Sequence, residues 1–137
     1  MKFDIIIIGA GPAGLGLACA LAKTNLKIAI IEKLPRNSFS NPRYDGREIA
    51  LTHRSVKILK TLGVWRYIST QSISIVKEAK VKDGASSYSL HFDHKTTYKN
   101  SLGCIVSNQQ IRKALYKKIK NNPNKKLILK NEVLSFS

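Results

Sequence analysis

The first 33 residues contain the pattern that most limits how this chain can fold. Four consecutive isoleucines, Ile5–Ile8, form an apolar run that is too short for a helix and suits a buried parallel strand. Gly9-Ala10-Gly11-Pro12-Ala13-Gly14 follows at once and fits the G-x-G-x-x-G spacing. An alanine- and leucine-rich stretch then leads to a second apolar run, Leu26–Ile31. The order strand, glycine turn, helix and strand predicts a Rossmann-like βαβ unit.

Each glycine of the motif has its own physical role in binding a dinucleotide. Gly9 permits the tight turn, Gly11 lets the backbone approach a pyrophosphate, and Gly14 allows the helix to pack closely on the strand. The phosphates would lie at the helix N-terminus, where free N–H groups and the helix dipole favour negative charge. Glu32 lies 23 positions after Gly9, where a carboxylate can bind ribose hydroxyls and repel a 2′-phosphate. The alternative is a Rossmann-like unit that binds no ligand.

A targeting or membrane segment is a rival interpretation of the same stretch, because residues 5–22 carry no charge. Pro12 and the closely spaced glycines disfavour it, since a membrane span needs about 20 apolar residues with few helix breakers.

The length of 137 residues suits one domain with a modest core. Cys19 and Cys104 show neither metal-ligand nor disulfide spacing, so we expect two small buried residues of a cytoplasmic protein.

The net charge of +16 is unevenly distributed, with sixteen of the 24 basic residues lying from Val56 onward. Such an excess can indicate a nucleic acid or an anionic membrane as a partner. The lysines are scattered between elements and no nucleic-acid motif is present. We therefore expect a solvated basic surface and no nucleic-acid partner, while peripheral contact with the inner face of a membrane stays open.

The middle of the chain combines helix and strand signals. Residues 33–42 predict a polar loop, and Thr52 is a suitable N-cap for a helix that ends near Leu62, with Gly63 after it. From Ser72 to His94 the apolar residues alternate around turn residues, which predicts a β-hairpin and the start of a second sheet. His91 and His94 near its end are expected to be surface residues rather than metal ligands.

The last third predicts a strand, a capped helix and further strands. Leu102–Val106 is a short apolar run, and Ser107 with Gln110 forms a capping box. Ile111, Leu115 and Ile119 form the apolar stripe of the helix, a turn follows at residues 121–124, and strands are expected at 126–130 and 133–136.

Two arginines are candidate anion ligands. Arg47 lies shortly before a helix on a segment that can cross over the nucleotide, and the alternative is a surface ion pair with Asp45 or Glu48. Arg112 lies in the first turn of its helix, where a cation opposes the helix dipole. An anionic ligand would compensate for that unfavourable position.

With these residues in place, the chain resembles the N-terminal part of flavoprotein aromatic hydroxylases of the para-hydroxybenzoate hydroxylase type. The resemblance is strongest to ubiquinone-biosynthesis hydroxylases of the octaprenyl-methoxyphenol hydroxylase kind, which act on polyprenyl phenols. It rests on the glycine motif with Glu32-Lys33, on Asp45-Gly46-Arg47 before the helix ending in Leu62-Gly63-Val64-Trp65, and on Leu102–Asn108 leading into Arg112. In this family both arginines contact the flavin cofactor.

The resemblance implies FAD as the cofactor and NAD(P)H as co-substrate of the complete enzyme. The implied cofactor-binding residues are Gly9, Ala10, Gly11, Pro12, Ala13, Gly14, Glu32, Lys33, Arg47, Asn108, Arg112 and Val133. No catalytic residue and no metal ligand are assigned.

The expected fold is α/β, with residues 1–71 and 102–137 forming a Rossmann-like FAD-binding portion. Residues 72–101 would begin the mainly antiparallel sheet of a substrate domain. The family's later aspartate-glycine and glycine-aspartate motifs do not occur before Ser137. The expectation is therefore a truncated or split monooxygenase portion, inactive without a C-terminal fragment, with other ubiquinone-biosynthesis proteins as further candidate partners. The alternatives are another FAD or NAD oxidoreductase, a non-enzymatic remnant, or a basic binding module.

Overall fold

A computed structural model describes residues 2–35, 37–121 and 128–130. Within these ranges the helices are α1 (Pro12–Ala20), α2 (Asn37–Ser40), α3 (His53–Thr61) and α4 (Asn108–Lys120). The strands are β1 (Ile5–Ile8), β2 (Ile28–Ile31), β3 (Glu48–Leu51), β4 (Ser74–Val76), β5 (Glu78–Lys82), β6 (Ser89–Asp93), β7 (Gly103–Ser107) and β8 (Ile128–Lys130).

The predicted βαβ unit is present at the start of the chain. β1 and β2 are parallel, with Ile5 opposite Ile28 and Ile8 opposite Ile31. β8 pairs parallel with the other edge of β2, which gives the strand order β1-β2-β8. One face of β1 is covered, since Ile7 is buried, whereas Ile6 and Ile8 on the other face are about half exposed. The expectation that β1 is buried on both faces therefore holds for one face within the described residues.

The second sheet is antiparallel, as expected, and has the order β3-β7-β4. Only β4 comes from residues 72–101, whereas β3 and β7 come from the ranges that were assigned to the Rossmann-like portion. The predicted hairpin is shorter than the alternating stretch, because it consists of β5 and β6 alone. Ile75 belongs instead to β4, which pairs with β7 opposite Cys104. The alternating pattern predicts strands with one apolar and one polar face, but it does not predict which strands pair with each other. At Lys77 the chain passes from the strand that pairs with β7 to the strand that pairs with β6.

Helix boundaries follow the predicted caps. The Thr52 hydroxyl accepts a hydrogen bond from the Ser55 backbone N–H at the start of α3, and Ser107 does the same for Gln110 at the start of α4. Gly63 has a φ of +69°, as a residue that ends a helix in the left-handed conformation requires. The turn expected at residues 121–124 begins at Asn121, and the rest of it lies outside the described residues, as does the strand expected at 133–136.

The core lies where α1 and α4 pack against each other and against the parallel sheet. Its buried members include Leu15 and Leu115 from the two helices and Ile30 from β2. Phe39 is also buried, and its ring lies 5.9 Å from that of Tyr116 in α4. The stretch predicted to be a polar loop therefore contains a helical turn, α2, which places an aromatic side chain in the core.

None of the helices in the described ranges is long and apolar enough to span a membrane.

Candidate functional site

The glycine turn joins β1 to α1 with little free space on one side and open space on the other. Gly9 adopts a φ of +96°, and its N–H donates to the Ile31 carbonyl at 2.8 Å. A Cβ on Gly14 would lie 2.0 Å from the Gly9 carbonyl oxygen, so only glycine permits this close packing. A Cβ on Gly11 would meet no atom within 4 Å. The turn is therefore compact towards the sheet and accessible towards solvent.

The N-terminus of α1 has no side-chain cap. Gly11 is the N-cap residue and Pro12 follows it, so neither residue can supply a side-chain hydrogen bond to the first turn. The backbone N–H groups of Ala13 and Gly14 precede the first intrahelical bond, which runs from Leu15 to Gly11. This end of the helix is thus suited to an anion from outside the helix.

Glu32 lies directly beside this turn, although the two are 22 residues apart. Its carboxylate accepts hydrogen bonds from the backbone N–H of Ala10 at 2.8 Å and of Leu34 at 3.1 Å. Partial burial opposes ionisation, but these bonds, a further one from the Lys33 backbone and the Lys33 ammonium outweigh it and lower the pKa of Glu32. Glu32 therefore fixes the glycine turn to the end of β2 and keeps lone pairs for a further donor.

Asp45, Arg47 and Asn108 form a second cluster. The Asp45 carboxylate accepts hydrogen bonds from Arg47 Nη2 at 2.6 Å and Nε at 2.9 Å, and from the Asn108 side-chain amide at 2.7 Å. The Asn108 backbone N–H donates to the Arg47 carbonyl at 2.9 Å. These bonds connect the start of β3 with the start of α4. The ion pair considered from the sequence is therefore the one between Asp45 and Arg47.

The hydrogen bonds from Arg47, followed by the one from Asn108, lower the pKa of Asp45 to about 2. Asp45 consequently stays ionised at any physiological pH. Most of the Arg47 side chain remains exposed, at 68% of its surface, while Asn108 is buried. The cluster therefore holds a guanidinium at the surface in a fixed orientation.

A cavity of about 550 Å³ lies between the end of β2, α2 and α4. Arg43 and Arg112 line it together with Asp45, and Leu34 and Ser38 contribute to its wall. Two guanidinium groups against one carboxylate leave an excess of positive charge, which favours an anionic ligand. Its volume is in the range of small-molecule and cofactor sites.

The structure brings most of the predicted residues into this region. The glycine turn and Glu32 are in direct contact, and Leu34 joins them to the cavity that contains Arg112. Asp45 joins the same cavity to Arg47 and Asn108. Lys33 is exposed beside Glu32, and Val133 lies outside the described residues.

Sequence reasoning missed Arg43. The residue directly follows the predicted loop, whose last residue is Pro42, and the Pro42 carbonyl accepts a hydrogen bond from the Gln109 side chain at 2.6 Å. That bond connects the loop to the start of α4. A basic residue close before the Asp45-Gly46-Arg47 motif was the signal that could have identified it.

The cysteines and histidines contribute nothing to this region. Cys19 and Cys104 are buried free thiols, as expected, and burial raises the pKa of Cys19 to about 11. His91 contacts Glu78 at 3.4 Å, and His94 contacts Asp93 at 3.1 Å, both on the hairpin side of the fold.

Known proteins resemble this chain in sequence and in structure. A family profile described as an FAD binding domain matches residues 2–137. The chain is 44% identical over 125 residues to the ubiquinone hydroxylase UbiM of Neisseria meningitidis, which covers 88% of the chain and 27% of that protein. It is 31% identical over 137 residues to the ubiquinone biosynthesis monooxygenase COQ6 of Drosophila melanogaster, covering 96% and 28%. The structure resembles the myxobacterial FAD-dependent halogenase CndH with a TM-score of 0.68 at 19% identity, covering 93% and 28%.

Proposed function

This chain belongs to the family of FAD binding domains, and we propose that it is the FAD-binding part of a flavin-dependent monooxygenase that hydroxylates a polyprenyl phenol in ubiquinone biosynthesis. FAD as the cofactor and the resemblance to ubiquinone hydroxylases are confirmed by the family match and the relatives. The chain spans little more than a quarter of the length of those relatives. We therefore propose that a further polypeptide, separate or continuous with this one, supplies the remaining parts of the enzyme.

The hydroxylation of a polyprenyl phenol is proposed from the two relatives, and the observation that carries the cofactor site is the contrast between Gly14 and Gly11. A side chain at Gly14 would collide with the turn itself, whereas the space beside Gly11 is empty. The packing at Gly14 brings the helix N-terminus up to the end of the sheet, and the absence of a side chain at Gly11 leaves its backbone accessible. Together they fit a pyrophosphate bound against the main chain.

The neighbouring charges fit the rest of the cofactor's nucleotide half. Glu32 is ionised and lies beside the turn, where it can accept hydrogen bonds from ribose hydroxyls. Arg43 and Arg112 in the adjoining cavity can neutralise a diphosphate, and Asp45, which also lines that cavity, holds the guanidinium of Arg47. When bound, FAD supplies the redox chemistry of the hydroxylation, with NAD(P)H as the expected reductant. These residues bind and orient the cofactor rather than react.

The location we propose is the cytoplasmic side of a membrane. A polyprenyl phenol partitions into lipid, and the chain carries a net charge of +16 that favours an anionic surface. Sedimentation of the chain with vesicles containing anionic lipid, compared with neutral vesicles, tests this part of the proposal. Equal sedimentation with both would contradict it.

The cofactor site is tested with Arg112→Gln and its neighbour Lys113→Gln. Arg112 lines the positive cavity, whereas Lys113 is exposed on the same turn of α4. A hydrogen bond to a charged group contributes about 1.5–3 kcal/mol, so we expect Arg112→Gln to weaken FAD binding about tenfold or more in the complex of the chain with the missing part of the enzyme. Lys113→Gln should leave the affinity nearly unchanged. Equal affinities for both variants in a fluorescence titration would remove Arg112 from the site.

Completeness is tested by comparing the chain alone with the chain co-expressed with the missing part. We expect the chain alone to bind FAD poorly and to show no hydroxylation, because exposed apolar side chains such as Leu90 and Phe92 favour aggregation. Co-expression should yield a soluble yellow complex. A soluble 137-residue monomer that copurifies with stoichiometric FAD and oxidises NADH unaided would overturn the proposal.

A further inference from the structure

Helix α1 is apolar on all sides, and the described part of the chain covers one of them. It contains no charged side chain over its length, and Leu15, Ala18 and Cys19 are buried against the core. On the opposite side Ala13, Ala20 and Leu17 are exposed, with Leu17 at 49% of its surface. A helix that is hydrophobic all round is normally buried all round. The exposed side of α1 therefore has the character of a buried surface.

This side of α1 forms one wall of an apolar groove of about 540 Å³. The opposite wall is α3 with its exposed Ile58, followed by the C-cap residue Leu62, and the floor comes from β3 and α4. Gly16 lies in the α1 wall, and a Cβ there would meet no atom within 4 Å. The backbone of α1 can therefore be approached closely by another chain.

The rim of the groove is basic. Arg54 and Lys57 of α3 line a recess that shares Ile58 and Leu62 with the groove. Among the described residues that line the groove and this recess there is no aspartate or glutamate. The charge favours an occupant with acidic side chains along one flank.

We propose that this groove binds an amphipathic helix with a small aliphatic face and an acidic flank. The helix comes from the polypeptide that corresponds to the part of the ubiquinone hydroxylases outside the matched region. An apolar groove between two helices is the shape that such a helix fills. About 70% of the length of each of the two relatives lies outside the matched region and can supply it. This inference rests on the proposed function, because it assumes that such a polypeptide completes the enzyme.

The experiment uses the part of Neisseria meningitidis UbiM outside the 125 matched residues as the probe, co-expressed with the tagged chain. The unsubstituted chain should recover this polypeptide, and Leu17→Glu and Ile58→Glu should each reduce the recovery at least tenfold. Tyr98→Glu is the control, because Tyr98 is fully exposed and far from α1 in sequence. The isolated variants should have the same melting temperature as the unsubstituted chain, because the side chains of Leu17 and Ile58 are about half exposed in it. Failure of the unsubstituted chain to recover the probe overturns the proposal, as does full recovery by both groove variants.

A photo-crosslinking benzophenone side chain in place of Leu17 identifies the occupant. Mass spectrometry should find it joined to a helical segment of the probe that carries acidic residues. Crosslinks to a second copy of this chain or to lipid would overturn the proposal. FAD content is measured on the same samples, so the two proposals fail separately. A recovered complex without FAD contradicts the cofactor site alone. A chain that binds FAD but does not recover the probe contradicts the groove and the expected need for the missing part, and leaves the cofactor site standing.

Discussion

Replacing Gly14 by alanine should destabilise the fold through a single close contact. The new Cβ would lie 2.0 Å from the Gly9 carbonyl oxygen, whereas real Cβ atoms essentially never come closer than 3.0 Å to another heavy atom. The start of α1 must therefore move away from the turn by at least about 1 Å. The carbonyl cannot yield easily, because the Gly9 N–H is bonded to Ile31 in β2 at 2.8 Å.

Two terms of opposite sign decide the size of the effect. Alanine is favoured over glycine inside a helix by about 1 kcal/mol, while forcing an extra carbon into a packed site costs about 1–3 kcal/mol and sometimes more. Because the clash is with backbone, we expect the upper part of that range and a net loss of about 2 kcal/mol in the free energy of unfolding. For a chain of this size the melting temperature should fall by roughly 5–10 °C.

Gly16→Ala is the matched control, because it makes the same change two residues later in α1, where a Cβ meets no atom. It should stabilise the chain by about 0.5–1 kcal/mol. Gly11→Ala should leave the melting temperature nearly unchanged, since Gly11 has a φ of −71°. In the complex with the missing part of the enzyme it should abolish FAD binding, because the new side chain would occupy the space of the pyrophosphate. Thermal and urea unfolding followed by circular dichroism measure all three. If Gly14→Ala melts at or above the temperature of Gly16→Ala, the close-packing argument is wrong.

Two further predictions concern the carboxylates. Glu32→Ala should weaken ADP binding by about 1–3 kcal/mol. Glu32→Gln keeps an acceptor for the Ala10 N–H and should lose less affinity. If Glu32→Ala loses the same affinity for an ADP analogue that lacks the ribose hydroxyls, Glu32 does not bind the ribose. Asp45 has a pKa lowered to about 2 by Arg47 and Asn108, so its stabilising contribution is present above pH 3.8 and is lost only as the pH falls towards 2. A carboxyl NMR titration should place the Asp45 midpoint near 2 and show it raised in Asn108→Ala, and an ordinary midpoint in the unsubstituted protein would contradict the cluster.

The parts of the fold set by neighbouring residues could be predicted from the sequence. The turn at Gly9, the caps at Thr52 and Ser107, and the end of α3 at Gly63 each depend on a few consecutive residues. Local hydrogen bonding and glycine conformation determine them whatever the rest of the chain does. They were therefore placed correctly without any knowledge of the tertiary structure.

The parts that depend on distant partners could not be predicted in the same way. Phe39 is buried because Tyr116 of α4 packs beside it, and nothing within residues 33–42 indicates that partner. Ile75 leaves the predicted hairpin because β7 is available as a neighbour. Glu32 was expected to face a ligand, and its hydrogen bond to the Ala10 N–H became visible only when the end of β2 was placed beside the turn. In each case the deciding contact spans more than twenty residues.

The two sheets position different residues of the proposed site. The parallel sheet alone positions the glycine turn and Glu32, because both lie at the carboxyl ends of β1 and β2. The arginines depend on the antiparallel pairing of β3 with β7, where Glu48 opposite Ser107 places Arg47 beside Asn108. Helix α4 starts directly from β7, so that pairing also fixes Arg112 beside Arg43. In the proposed site, recognition of the nucleotide would therefore start with a local βαβ unit, whereas the arginines that would neutralise its charge depend on a pairing across about 60 residues. We expect the arginines to be the part of that site most sensitive to incomplete folding.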